Sequence, residues 1–237
     1  MSGPIQITRG GLLIRDSDEQ IQRLREQFSR QHYARLPELL DTETLAFVRQ
    51  EIDRGEFYER VHSGIKSNKE LCLKQDAAYG ALLLFVNDER LFEVIRTITD
   101  CGRIGCFEGR VYRFVPRQGH RDAWHSDMAE DRLVALSVNL SAENYTGGTL
   151  QIRDSQSHAI IQEVPNVGAG DALIFRVSAN LQHRITKVTG TASKTAFAGW
   201  FRAKPDFLTL LKYTTQPPGP LERSGRTSAN VFEHDGG

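Results

Sequence analysis

GCFEGRVYRFV (105–115), DAWHSD (122–127), RLVALSVNLS (132–141), TLQIRD (149–154), AIIQEVP (159–165), DALIFRV (171–177), HRITKV (183–188) and KTAFAGWF (194–201) are short runs rich in β-branched and aromatic residues. Gly, Asn and Asp separate them, and eight such runs at this spacing predict an antiparallel sandwich or barrel. Gly147-Gly148 supplies one turn signal and Gly168-Ala169-Gly170-Asp171 another. The second lies between strands with no helix after it, so it reads as a turn and not as a phosphate loop.

Within the second run stands Trp124-His125-Ser126-Asp127. Side chains alternate across a strand, so His125 and Asp127 share a face. His183 follows after several strand-like runs that can fold back and bring its imidazole to the same point. Two imidazoles and one carboxylate form a three-sided metal site with open positions opposite, the ligand set of non-haem Fe(II) oxygenases. A second His-x-Asp, His120-Arg121-Asp122, competes for the role. Context favours the later pair: Ala123-Trp124 can bury the strand, whereas Arg117, Gln118-Gly119 and Arg121 mark His120 as part of an exposed loop.

Upstream, the pattern is helical. Ile21, Leu24 and Phe28 make one amphipathic helix over 16–30, with Asp16, Ser17 and Asp18 as cap candidates. HYARLPEL (32–39) reads as a strand entering a turn. A second helix runs from Asp41-Thr42-Glu43-Thr44 to about Arg54, with Leu45, Val48 and Ile52 at helical spacing and Gly55 at the stop. The segment from Ala77 to Asp100 contains two more helix-compatible runs, ALLLFVND and LFEVIRTITD, separated by the polar Asp88-Glu89-Arg90. After Leu211 the chain is rich in Pro, Gly and Ser, which predicts a flexible tail. The expected organisation is a single domain over 1–237: a supporting region 1–102, a catalytic core 103–204 and a tail 212–237.

Thirty basic and thirty acidic residues cancel, which argues against bulk attraction to nucleic acid or membrane. Cys72, Cys101 and Cys106 are odd in number and lack metal-cluster spacing, as expected in a reducing cytoplasm. No apolar run is long enough to span a bilayer, so a soluble, cytoplasmic protein is expected.

The order of signals over 103–204 resembles the prolyl-4-hydroxylase-like branch of the Fe(II)/2-oxoglutarate-dependent dioxygenases. Tyr112 with Gly119, Trp124-His125-Ser126-Asp127, Arg132, Leu140 with Gly147-Gly148-Thr149-Leu150, Gly170 to Phe175, His183, Lys194 and Gly199-Trp200-Phe201 carry that resemblance. It implies an α+β, mainly β fold: a double-stranded β-helix of jelly-roll or cupin-like type, with N-terminal helices packed on one sheet. It further implies that His125, Asp127 and His183 bind Fe(II), and that Lys194 pairs with the distal carboxylate of the co-substrate 2-oxoglutarate. A buried dicarboxylate end needs such a cation. Tyr112 would add a hydroxyl donor. Asn139 falls where relatives carry a tyrosine facing the co-substrate, and its amide would take that contact. Lys194 stands further beyond His183 than the family's basic residue usually does, so a turn or bulge at Thr189-Gly190-Thr191 has to absorb the excess. Arg184 and Lys187 are the substitutes.

The resemblance implies O2-dependent hydroxylation of an unactivated C–H bond, with release of succinate and CO2, in a peptidyl residue, an amino acid or a small metabolite. Two other outcomes fit the fold: oxidative demethylation, and a metal- or ligand-binding sensor without turnover. Asp127 speaks against the halogenating branch, which has a small residue there. Arg110, Arg113, Arg117, His120 and Arg121 precede the metal strand and can place positive charge at a cavity mouth, or form a solvated face balanced by nearby acids. Oligomeric state is open.

Overall fold

The computed structural model describes residues 3–15, 18–61, 68–74 and 77–215. The first part is mixed. A hairpin of β1 (Ile5–Thr8) and β2 (Gly11–Ile14) is followed by α1 (Asp18–Gln31), β3 (Tyr33–Leu36), α2 (Thr42–Arg54), β4 (Phe57–Val61), β5 (Lys69–Leu73), α3 (Ala77–Val86) and α4 (Glu89–Thr99). Helix α2 starts as its sequence predicts: the Asp41 carboxylate accepts from the Thr44 N–H at 2.7 Å, satisfying one of the free donors at the helix start. It ends at Gly55, but in extended backbone (φ −77°, ψ 157°) that makes no use of glycine's freedom. Asp16 and Ser17, proposed as caps of the first helix, lie outside the described residues.

The β-rich part follows: β6 (Cys106–Phe114), β7 (Asp122–His125), β8 (Arg132–Asn139), β9 (Thr146–Gly147), β10 (Leu150–Asp154), β11 (Ile160–Val164), β12 (Ala172–Arg176), β13 (Leu181–Ile185), β14 (Val188–Thr189) and β15 (Lys194–Arg202). A short helix α5 (Phe207–Thr215) closes it. The Asp206 carboxylate accepts from the Thr209 N–H at 3.0 Å and starts α5, so the expected tail begins as helix. The rest of 212–237 lies outside the described residues beyond Thr215.

Two antiparallel sheets form the double-stranded β-helix. The larger has seven strands in the order β3-β12-β8-β15-β6-β5-β4, and the smaller has four, β11-β10-β13-β7. The hairpin β4-β5, unforeseen from the sequence, extends the larger sheet past β6 and brings Arg60, Asn68 and Glu70 beside the interior.

Alternation along the larger sheet separates two environments. Phe107 and Val111 of β6, Val134, Leu136 and Val138 of β8, Ala172 and Ile174 of β12, and Phe197 and Phe201 of β15 pack beneath the helices. Their neighbours Tyr112, Phe114, Ala135, Leu173, Phe175 and Ala196 face the smaller sheet. Phe107 lies 5.3 Å from Phe197 and 5.1 Å from Phe201 between ring centroids, and each of the three is fully buried. Burial of each such side chain is worth roughly 1.5–3 kcal/mol. The Gly168–Asp171 segment is a turn, as read, and it also has a structural load. Asp171 accepts from Arg35 Nη2 at 2.5 Å, from the Glu38 N–H at 2.7 Å and from the Gly168 N–H at 3.1 Å, which docks β3 against the core.

Where β15 crosses β6, Gly199 opposes Gly109. A Cβ on Gly199 would stand 2.0 Å from the Glu108 carbonyl oxygen and 2.3 Å from the Gly109 Cα. Backbone cannot move out of the way as a side-chain tip can, so Gly199→Ala is expected to destabilise the fold by about 1–3 kcal/mol. Urea unfolding of the two proteins measures it, and an unchanged midpoint would contradict this register.

Candidate metal centre

Strands β7 and β13 pair so that His125 sits directly opposite His183. Directly opposed residues share a face, and the rings meet with centroids 4.3 Å apart. Past the end of β7 the chain turns, and Asp127 is carried between them. Its Oδ1 lies 3.4 Å from His125 Nε2, and its Oδ2 lies 3.4 Å from His183 Nε2. Trp200, reaching across from β15 in the other sheet, donates its indole N–H to Asp127 Oδ2 at 2.8 Å. Arg132 stands over the Trp200 ring at 3.7 Å and donates to the Asp127 main-chain carbonyl at 3.2 Å. The carboxylate is therefore oriented from both sheets.

The donor set suits a divalent cation. His125 Nδ1 faces the Ala123 carbonyl at 2.7 Å, which places a proton on Nδ1 and turns Nε2 toward Asp127. Burial holds the His183 imidazole down at about 4, so it is neutral with a free lone pair. Burial also opposes protonation of His125, but the hydrogen bond and charge of Asp127, with the charge of Asp122, outweigh it and raise His125 to about 9. Burial works against the Asp127 anion as well, yet His125, His183 and Trp200 together hold its carboxyl well below the usual range. Deprotonated Asp127 beside neutral imidazole nitrogen is the state in which these side chains would bind a metal ion.

A second carboxylate stands close by. One ligand atom each from Asp122, His125 and His183 lie within 4.8 Å of one another. Asp122 flanks the other edge of His125, however, with Oδ1 3.5 Å from Nδ1, and the Asn68 side-chain amide donates to the same oxygen. Asp127 is the carboxylate that faces Nε2 of both rings. Burial raises Asp122 to about 6. His120, the rival histidine, follows the exposed turn residues Arg117, Gln118 and Gly119 as expected, but its own side chain is only 4 % exposed. Its Nδ1 accepts the Val115 N–H at 2.8 Å, a structural role that correct parity reading of a polar loop does not reveal. Its sequence partner Asp122 is nevertheless at the centre.

The cavity lined by His125, Asp127 and His183 has a volume of about 450 Å³. Tyr112, buried against Phe114, lines it, as do Arg110 and Glu70. Glu70 is 4 % exposed and grips Arg110 through Nε at 2.6 Å and Nη2 at 3.2 Å. Of the basic cluster read before β7, Arg110 faces this cavity and Arg113 does not. Ser137, Phe175 and Ile185 also border a second, narrow cavity that holds Lys194, Asn139 and Tyr145. Lys194 is 7 % exposed, and its Nζ donates to the Gly148 carbonyl at 2.6 Å and lies 5.7 Å from the Tyr145 ring centroid. Asn139 donates to the Val167 and Gly168 carbonyls at 2.8 and 3.2 Å and accepts from the Ser141 N–H at 3.0 Å, so its carboxamide is committed to the backbone. Arg184 points to the outer face, donating to Gln151 at 2.7 Å beside the Trp124 ring, and Lys187 borders an outer groove. The sequence reading missed Trp200 as a partner of Asp127, and also Glu70 and Tyr145. Trp200 was quoted only as part of a motif, and no local spacing links it to Asp127.

Residues 109–202 match the model of the 2OG-Fe(II) oxygenase superfamily. That matched segment, which holds His125, Asp127 and His183, carries the 2-oxoglutarate-dependent iron oxygenase domain. Solved structures share the fold. An oxidoreductase of the 2OG-Fe(II) oxygenase family from Burkholderia pseudomallei is 13 % identical with a TM-score of 0.59, over 85 % of this chain and 97 % of its own. A prolyl hydroxylase from Trichoplax adhaerens, in complex with a hypoxia inducible factor peptide fragment, is 13 % identical with a TM-score of 0.54, over 85 % and 98 %. HygX from Streptomyces hygroscopicus, with nickel, 2-oxoglutarate and hygromycin B bound, is 14 % identical with a TM-score of 0.54, over 75 % and 85 %. No curated protein matches the chain by sequence. Among the described residues no helix is long and apolar enough to cross a membrane.

The Lys194 ammonium gives a test of the site's interior. Burial lowers it from 10.5 to about 8. Between these values the unfolded chain binds more protons than the folded one, so stability gains as pH rises through that window. Lys194→Met is expected to be more stable than the parent at neutral pH, with the gap closing toward pH 10.5. A pH series of denaturant midpoints checks this, and a gap that widens with pH would contradict it.

Proposed function

We propose that His125, Asp127 and His183 hold Fe(II), that Lys194 anchors 2-oxoglutarate, and that the protein hydroxylates a C–H bond of a polar substrate seated in the larger cavity. One observation carries the reading: the two oxygens of Asp127 each lie 3.4 Å from one Nε2 of an opposed histidine pair, at the wall of a cavity of about 450 Å³. Iron with bound 2-oxoglutarate supplies the oxygen chemistry of the superfamily: O2 converts the co-substrate to succinate and CO2 and leaves one oxygen atom for a substrate C–H bond.

The chain's own residues prepare that chemistry. Ala123 fixes the His125 tautomer and Trp200 fixes the Asp127 carboxylate, so three donors are preorganised rather than gathered on binding. Phe175 packs its ring 4.9 Å from that of His183 and keeps this side of the centre apolar. Lys194 lies beyond the walls shared by the two cavities, where a dicarboxylate reaching inward from the metal would exchange the Gly148 carbonyl for its own distal oxygens. Tyr145 stands beside that end and Tyr112 on the metal side. Of the two tyrosines, Tyr145 is the better placed donor to a carboxylate held by Lys194.

Opposite the metal, Arg110 is held rigid by buried Glu70, while Asn68 and Arg60 line the same wall. These groups make the wall polar, which suits a substrate with polar groups: an amino acid, another small metabolite, or a single peptidyl side chain. The wall serves to orient one C–H bond and to exclude water from it.

Anaerobic addition of Fe(II) and 2-oxoglutarate is expected to give a visible metal-to-ligand charge-transfer band that disappears in His125→Ala and His183→Ala. Lys194→Ala is expected to weaken 2-oxoglutarate binding by about a hundredfold, as loss of a buried charge-assisted contact does, while Arg184→Ala leaves it unchanged. Absence of the band in folded parent protein would overturn the iron site. The reverse ranking of the two variants would overturn the anchor.

A further inference from the structure

Behind the co-substrate end of the barrel, on the opposite face of the larger sheet, lies a separate cleft of about 220 Å³. Its two charged walls are Arg49 of α2 and Arg113 of β6. Strand alternation puts them there: Arg113 pairs with Thr195 across the β6–β15 ladder, on the helix-covered face, whereas Lys194 and Tyr112 point the other way. Neither guanidinium has a carboxylate partner within ion-pair distance among the described residues, although both are drawn in from solvent. Burial lowers the proton affinity of each, with only the more distant charge of Asp53 working against it.

Arg49 Nε donates to the Leu140 carbonyl at 3.1 Å and Nη2 is sealed from solvent, so the end of this guanidinium that an anion in the cleft would meet is Nη1, which donates to no protein acceptor among the described residues. Arg113 Nε donates to Thr195 Oγ1 at 3.0 Å and its guanidinium lies 4.3 Å from the Phe57 ring, which leaves its terminal nitrogens for something else. Thr191 and Ser193, from the segment just before β15, add hydroxyls to the same cleft. Asp53 and Glu143 also border it, but both are exposed at the rim.

We propose that this cleft binds a tetrahedral oxyanion, a phosphate or the phosphate group of a small monoester, between Arg49 and Arg113. The chemistry is that of guanidinium recognition: planar N–H pairs match phosphate oxygens, and hydroxyls complete the shell. A cleft of about 220 Å³ has room for a phosphate group with a small substituent. This site shares no residue with the cavity lined by His125, Asp127 and His183 and stands apart from the oxygenase reading.

Thermal unfolding of the full chain tests it, with inorganic phosphate, with glycerol phosphate, and with 2-oxoglutarate, each against chloride at equal ionic strength. Phosphate is expected to raise the Tm of the parent protein in a saturable, concentration-dependent way, because a ligand that binds only the folded state stabilises it. Arg49→Met is expected to lose that rise and, without phosphate, to be at least as stable as the parent, since it removes a sealed, unpartnered charge. Arg113→Gln is a second variant that keeps a polar side chain, and calorimetry is expected to show phosphate binding weakened about tenfold or more. A rise with the monoester that exceeds the rise with inorganic phosphate supports the proposal and assigns the phosphorylated small molecule as the source. The proposal is overturned by no phosphate-specific rise, by an equal rise in both variants, or by a rise with 2-oxoglutarate alone.

Discussion

One carboxylate held between two imidazoles joins the halves of this molecule. Asp127 leaves the end of a strand in the smaller sheet, meets the opposed His125 and His183, and accepts the indole N–H of Trp200 from the larger sheet. A buried anion in that position demands compensation, and the fold supplies it as the Trp200 indole N–H, the His125 imidazole and the Arg132 guanidinium 3.7 Å away. The antiparallel pairing of β7 with β13, and the closure of the smaller sheet over the larger, are the geometric conditions for that meeting. A one-residue slip of either strand would turn a histidine to the outer face, where Arg184 and Trp124 now stack.

The same alternation sorts the chemistry of β6 and β15. Even-numbered Tyr112, Phe114, Lys194 and Ala196 build the barrel interior, while odd-numbered Phe107, Val111, Phe197 and Phe201 seal the helices onto the sheet. Arg113 and Thr195 occupy the second face too, near its end, where the aromatic packing gives way to polar groups. Two cationic environments are thus separated by the thickness of one sheet: a lysine inside the barrel and a pair of arginines behind it. The close Gly109–Gly199 contact lets β6 and β15 approach with no side chain between them at mid-strand.

Much of this was legible in the chain. All eight β-rich runs coincide with or overlap strands, and the four upstream helices stand where their apolar spacing puts them; the His125–Asp127 pair does share a site with His183, but through the turn past the end of β7 and not through strand alternation. What could not be read depends on contacts distant in sequence. Trp200 finds Asp127 only when the sheets close. Glu70 reaches Arg110 only because β5 adds to the edge of β6. His120 looked exposed from its polar neighbours, yet the Val115 N–H and the Phe114 ring bury it. Asn139 looked like a co-substrate contact from its place in a motif, and instead its amide ties the loop at Val167 and Gly168 to β8. Burial of a polar side chain follows from its partners, and those lie elsewhere in the chain.

The central claim is that the carboxylate completing the metal site is Asp127, not its neighbour Asp122. A crystal structure of the protein with Mn(II), located by its anomalous scattering, decides it. The account predicts one ion bonded to His125 Nε2, His183 Nε2 and an oxygen of Asp127, with Asp122 outside bonding distance on the far edge of His125. An ion held by Asp122 in place of Asp127, or no ion between the two imidazoles, would contradict it.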